Sequence, residues 1–202
     1  MIGIFGGSFD PVHYGHLKSA DALKKELQLE KLFLMPCANP VHKKGLFFSA
    51  NQRIKMLDLA LVEYPELSLD LREVERGGSS YSIDSVKAIK QEYPKTPVCW
   101  VIGMDSFLNF DTWKDWQNFK NYAHLIVLSR PGYSKTNQSF GFQKTDNLEY
   151  LSGQHSGCVY FAKTPLMDLS SSEIRSKIQN QQDLGDWVPK SVIHQIQKYH
   201  DT

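Results

Sequence analysis

The chain has 202 residues, 41% of them hydrophobic, with 23 Lys and Arg against 22 Asp and Glu and a formal net charge of +1. That is enough apolar material for one well-buried domain, which excludes a disordered chain, and the near-neutral balance excludes a global field drawing it to nucleic acid or an acidic membrane. Cys37, Cys99 and Cys158 are odd in number and far apart, against a disulfide framework or a cysteine zinc site; with no signal-peptide pattern and no apolar run near the roughly 18 residues of a membrane helix, a cytoplasmic protein is expected.

In chain order, IGIF (2–5), KLFLMP (31–36), ELSLDL (66–71), PVCWVIG (97–103), HLIVLS (124–129) and CVYFA (158–162) read as strands. Several are apolar at consecutive positions, as expected where helices cover both faces of a parallel sheet. Between them, 16–28 places Leu17, Ala20, Leu23 and Leu27 on one helical face. Residues 50–63 follow a capping-box pair, Ser49 and Gln52, and carry Ile54, Leu57 and Leu61. Residues 82–93 align Ile83, Val86, Ile89 and Tyr93. The polar stretch 130–157 reads as a long loop, a possible excursion over a site. Two helices, 171–180 and 189–199, close the chain, the second led by Pro189 at a first-turn position. The alternation predicts an α/β fold: a doubly wound, mostly parallel sheet with C-terminal helices, one domain over 1–202 with its helical end from about 169.

GGSFDPVHYGH (6–16) sits where the first strand ends and the first helix begins. In an open α/β sheet, ligands bind in the crevice at carboxyl strand ends. Gly6 and Gly7 let a ligand approach the backbone, the helix start offers N–H groups to phosphate, and His13 and His16, three apart, can face one anion. The plainer reading is a turn with surface histidines. Zinc is not indicated, because no third ligand follows at metal-site spacing. In LSSSEIR (169–175), Ser170 and Glu173 have capping-box spacing, which leaves the amides of Ser171 and Ser172 for an anion and Arg175 one turn inside; an ordinary capped helix has the same pattern. Trp113 and Trp116 lie at helical spacing, as core or as a ligand platform. Asp105, after a strand and Gly103, can cap the next helix or accept from ribose hydroxyls. Lys43 can serve a phosphate as a mobile point charge.

GGSFDPVHYGH resembles the signature of the HxGH nucleotidyltransferase superfamily, here His13-Tyr14-Gly15-His16. Four further stretches resemble bacterial nicotinate-nucleotide adenylyltransferases. NPVHKK (39–44) matches NPPHK, with Val41 in place of a proline; REVERGGSSYSIDSV (72–86) keeps serines, Ser82 and Ser85, where threonines are usual; VIGMDSFLNFDTWKDW (101–116) and LSSSEIR (169–175) complete the set. The resemblance implies a Rossmann-like fold and transfer of AMP from ATP to nicotinate mononucleotide, forming deamido-NAD and pyrophosphate. It implies His13, His16 and Arg175 as catalytic; Gly6, Gly7, Ser8, Phe9, Lys43, Gly103, Asp105, Arg130, Ser171 and Ser172 on the ATP side; and His42, Tyr81, Ser82 and Trp113 at nicotinate mononucleotide. Trp113 would stack on the pyridine ring. The substrate's 5′-phosphate oxygen is the nucleophile and is already ionised, so no general base is needed, and the enzyme's task is alignment and charge stabilisation. Mg²⁺ is the expected cofactor, carried mainly by ATP oxygens and water. Another HxGH adenylyltransferase, acting on pantetheine phosphate or nicotinamide mononucleotide, and a non-catalytic nucleotide sensor are the alternatives. The expected partners are small molecules, not nucleic acid or membrane.

Overall fold

The computed structural model describes residues 1–40, 45–128, 137–164, 167 and 169–200. Its elements run β1 (Ile2–Gly7), α1 (Tyr14–Glu26), β2 (Lys31–Pro36), β3 (Asn39–Pro40), α2 (Ala50–Leu61), β4 (Ser68–Leu69), α3 (Arg72–Arg76), β5 (Ser79–Ser80), α4 (Ser82–Glu92), β6 (Val98–Gly103), α5 (Met104–Leu108), α6 (Trp116–Phe119), β7 (His124–Leu128), β8 (Gln143–Lys144), α7 (Leu148–Gly153), β9 (Cys158–Phe161), α8 (Ser171–Gln179) and α9 (Lys190–His200).

Seven strands form one parallel sheet in the order β4-β2-β1-β6-β7-β9-β8, and β3 pairs with β5 in a small second sheet. The α/β, doubly wound reading holds. Alternate residues of each strand feed opposite faces: Leu125 and Val127 pack with Ile4, Trp100 and Val86, while Ile126 and Leu128 pack with Phe5, Leu17 and Leu57. Both faces are covered, which is why the strands read as continuous apolar runs. The chain adds β2 on one side of β1 and later β6 on the other, so the winding reverses between β1 and β6. A crevice must open at the carboxyl ends of those two strands.

The helix signals were local and hold. Ser49 and Gln52 make a reciprocal capping box at α2, with both hydrogen bonds present. At α9, however, Pro189 lies just before the helix and its carbonyl accepts from Val192 and Ile193. The α2 stripe also shifts: Arg53, Met56, Leu57 and Ala60 are buried, while Ile54 and Leu61 are only half-buried.

The stretch 130–157 is corrected in part. Among its described residues, β8 pairs with β9 at the sheet edge, and α7 is capped by Asn147, whose side chain accepts from Tyr150 N at 3.0 Å, and buries Leu151. It reads as a loop because a two-residue edge strand has no periodicity. The strand order puts β8 at the sheet edge, beyond β7 and β9, while Phe140 packs on Phe110 and Trp116. Among the described residues no helix is long and apolar enough to cross a membrane.

Candidate active site

The crevice between the ends of β1 and β6 is a cleft of about 280 Å³. Gly6, Gly7 and Ser8 line it from β1 and its following loop, and Gly103 lines it from β6. A Cβ built on Gly103 would meet nothing within 4 Å, so backbone is open to a ligand there. Tyr81 and Ser82, at the start of α4, and Trp113 complete the wall. Residues predicted for both substrates therefore share one cleft. A larger groove of about 720 Å³ between α8 and α9, lined by Ile178, Leu184, Ile193 and several glutamines, holds none of them.

His13 is the N-cap residue of α1, in extended conformation, and its carbonyl accepts from His16 N at 2.9 Å and Leu17 N at 3.2 Å. The two imidazoles stack with centroids 3.7 Å apart. Gly15 makes this possible: a Cβ there would lie 2.8 Å from His13 Nδ1 and 3.2 Å from Leu169 Cβ. The missing side chain lets His13 fold back over the first turn and lets the approach to α8 close on it. His16 stands on Phe9, centroids 5.0 Å apart, and beside Phe5 at 6.2 Å. The Phe9 ring is fully buried, at φ 46°, and forms the floor under His16.

α8 begins as its capping residues dictate. Ser170 accepts from Glu173 N at 3.2 Å and donates its hydroxyl to Glu173 Oε2 at 2.6 Å. Ser171 and Ser172 occupy the first turn, whose N–H groups have no acceptor within a helix. Ser171 Oγ donates to Pro11 O at 3.2 Å, and Arg175 donates to Asp10 O at 2.8 Å and Ser172 Oγ at 3.0 Å. The histidine loop and the serine-arginine helix tip are thus joined directly. The segment leading to α8 is anchored too. Glu26 accepts from Tyr160 OH, Lys163 N, Thr164 N and Thr164 Oγ at 2.6–3.0 Å. Burial alone would raise the Glu26 carboxyl, but these bonds hold it below the usual carboxylate range.

The tryptophans do not share a helix. Asp115 between them has φ 54°, Trp113 is extended and Trp116 begins α6. Trp113 lines the cleft while resting on Phe110 (5.2 Å), and Trp116 packs on Phe140 (5.9 Å). Asp105 is exposed in the first turn of α5, where Gly103 holds the cap position, so its capping alternative falls. His42, Lys43 and Arg130 lie outside the described residues.

Sequence reasoning missed three residues. Arg53, 1% exposed, donates to Ser8 O at 2.7 Å, Cys37 O at 2.8 Å and Ala38 O at 3.3 Å, tying the ends of β1 and β2 together. An arginine within the stripe of Met56, Leu57 and Ala60 was the available signal. Asp10, 2% exposed, accepts from Phe47 N and Phe48 N. Lys114 reaches the cleft beside Trp113.

A cytidylyltransferase-like family model matches residues 4–177. The chain is 47% identical over 196 residues to a protein of Vesicomyosocius okutanii named "probable nicotinate-nucleotide adenylyltransferase", covering 97% of this chain and 93% of the relative. A protein of the same name from Psychromonas ingrahamii is 40% identical over 205 residues, covering 98% and 95%. The structure superposes on Plasmodium falciparum nicotinic acid mononucleotide adenylyltransferase complexed with NaAD, with a TM-score of 0.76 at 19% identity, covering 98% of this chain and 95% of that one. That last likeness concerns the fold.

Proposed function

The chain belongs to the cytidylyltransferase-like nucleotidyltransferases, among the nicotinate-nucleotide adenylyltransferases, and from that premise we propose how its residues divide the work. It transfers AMP from ATP to nicotinate mononucleotide, giving deamido-NAD and pyrophosphate, a step of NAD biosynthesis. The observation that carries the residue assignment is the junction of the stacked His13–His16 pair with the tip of α8, beside a cleft walled by Trp113, Tyr81 and Ser82.

The mononucleotide phosphate attacks the α-phosphorus of ATP, and the bond to the β-phosphate oxygen breaks as pyrophosphate leaves. The nucleophile is an ionised phosphate oxygen, so the protein aligns and stabilises rather than removing a proton. His13 and His16 donate toward the α- and β-phosphate oxygens. The amides of Ser171 and Ser172, with Arg175, meet the triphosphate, since a helix N-terminus and a guanidinium both favour anions. Gly6, Gly7, Ser8, Gly103 and Asp105 serve the rest of ATP, with Phe9 as floor; Lys43, Arg130 and His42 keep their sequence-based assignments. Trp113 stacks on the pyridine ring between Tyr81 and Ser82.

Mg²⁺ enters with ATP. It would be held mainly by ATP oxygens and water, where it would neutralise phosphate charge. One catalytic domain over 1–202 in the cytoplasm is the same reading; Cys37, Cys99 and Cys158 are buried thiols, suited to a reducing compartment. The test is pyrophosphate release from ATP and Mg²⁺ with nicotinate or nicotinamide mononucleotide. Faster turnover of the acid is expected; turnover of neither overturns the assignment.

A further inference from the structure

The acid and amide mononucleotides differ by one negative charge at the pyridine ring, so the cleft needs something that reads charge. Among its described lining residues, the side chains that carry a full charge are Glu73 and Lys114. Glu73 is buried and takes the Ser85 hydroxyl at 2.6 Å, so it is turned to its own scaffold. Lys114 is different. It follows Trp113 directly, half of its side chain is exposed, and its Nζ stands 4.3 Å from the Tyr81 ring centroid and 3.1 Å from Asp84 Oδ2. An exposed ion pair of this kind is weakly held, and a lysine is a mobile point charge on a flexible stem. Asp84 lies in the first turn of α4, whose opening residues Ser82 and Ile83 line the same cleft. The ammonium is therefore within a side-chain swing of the wall assigned to the pyridine ring.

We propose that Lys114 sets the preference for the acid over the amide, its ammonium leaving Asp84 to pair with the ring carboxylate of nicotinate mononucleotide. The inference rests on Trp113, Tyr81 and Ser82 forming the pyridine end of the cleft. The substrate's phosphate must meet ATP at the other end, near His13, His16 and α8, so Lys114 reads the ring substituent and not the shared phosphate.

The test is steady-state kinetics of the full chain with ATP and Mg²⁺, comparing Lys114→Met and Lys114→Arg with the parent on both mononucleotides. Titration of the intrinsic tryptophan fluorescence with each mononucleotide gives the same ratio where amide turnover is slow. Lys114→Met should lower kcat/KM for the acid roughly tenfold, the scale of one charge-assisted hydrogen bond. The loss should lie in KM, with the amide's value unmoved and the melting temperature unchanged. Lys114→Arg should retain most of the preference. Raised salt should erode the parent's preference and leave that of the Met variant flat. Equal losses on both mononucleotides, or an unchanged ratio, overturn the proposal. A parent that turns over neither substrate overturns the underlying reading instead, before any variant is compared.

Discussion

The guanidinium of Arg175 donates to the backbone carbonyl of Asp10 at 2.8 Å and stands 3.7 Å from the Asp10 carboxylate, a contact across 165 residues of sequence. The same carboxylate accepts from Phe47 N at 2.9 Å and Phe48 N at 2.8 Å. One buried aspartate therefore joins the loop after β1, the tip of α8 and the segment entering α2. Asp10→Asn would turn one acceptor oxygen into an amide facing an N–H. The expected cost is about 1–3 kcal/mol of stability, read from the denaturation midpoint, with a raised KM for ATP as Arg175 loses its anchor. An unchanged midpoint and KM would remove Asp10 from this role.

His16→Ala should lower kcat by about 10² or more without a matching loss of stability, as removal of a preorganised donor does. Gly15→Ala tests the geometry behind it. Alanine favours a helix over glycine by about 1 kcal/mol, so propensity would stabilise α1. The new Cβ would nevertheless lie 2.8 Å from the His13 ring. A drop in kcat approaching that of His16→Ala is expected, with at most a modest loss of melting temperature as overpacking offsets the gain in propensity; normal turnover would show that the stacked pair is dispensable.

Trp113→Ala and Trp116→Ala should separate cleanly. The first should chiefly raise KM for nicotinate mononucleotide. The second should chiefly lower the melting temperature, because Trp116 packs on Phe140 and Phe110, and aromatic truncations of partly buried sites cost stability. A reversed pattern would exchange the roles assigned to them.

His124 gives the protein an acid-sensitive core. It is fully buried; its Nδ1 accepts from Cys158 N and its Nε2 donates to Gln154 O, both at 3.1 Å, so it is held neutral. Burial pushes its pKa down from 6.5 to about 4. The unfolded chain thus binds the proton more readily than the native one. Its contribution is complete above about pH 6.5 and is lost as pH falls toward about 4, by about 3 kcal/mol at most. Melting temperatures between pH 7 and 4 should show this loss, and His124→Leu, less stable at pH 7, should show a shallower slope. Equal slopes would place the acid sensitivity elsewhere.

Much of the site could be read before any coordinates because its signals are local. Glycines at a strand end, histidines around a helix start and a serine-glutamate cap at α8 each express backbone geometry spanning only a few residues. Five strands of the core declared themselves through apolar runs for the same reason, while the strand expected over 66–71 shortens to the two residues of β4, Ser68 and Leu69. The edge pair of β8 and the second sheet of β3 and β5 did not, since two-residue ladders are made by their neighbours and not by their own composition.

The local chemistry of the HYGH turn, the capped tip of α8 and the alternation of strands with helices were thus written in residue order alone. Which tryptophan lines the cleft waited on the left-handed turn at Asp115. That Arg53 would bind the end of β1 and that Asp10 would hold Arg175 depended on contacts between segments tens of residues apart or more. Such contacts form only after the sheet has chosen its winding, because a side chain's partner across the fold is set by the position of whole elements and not by its neighbours along the chain.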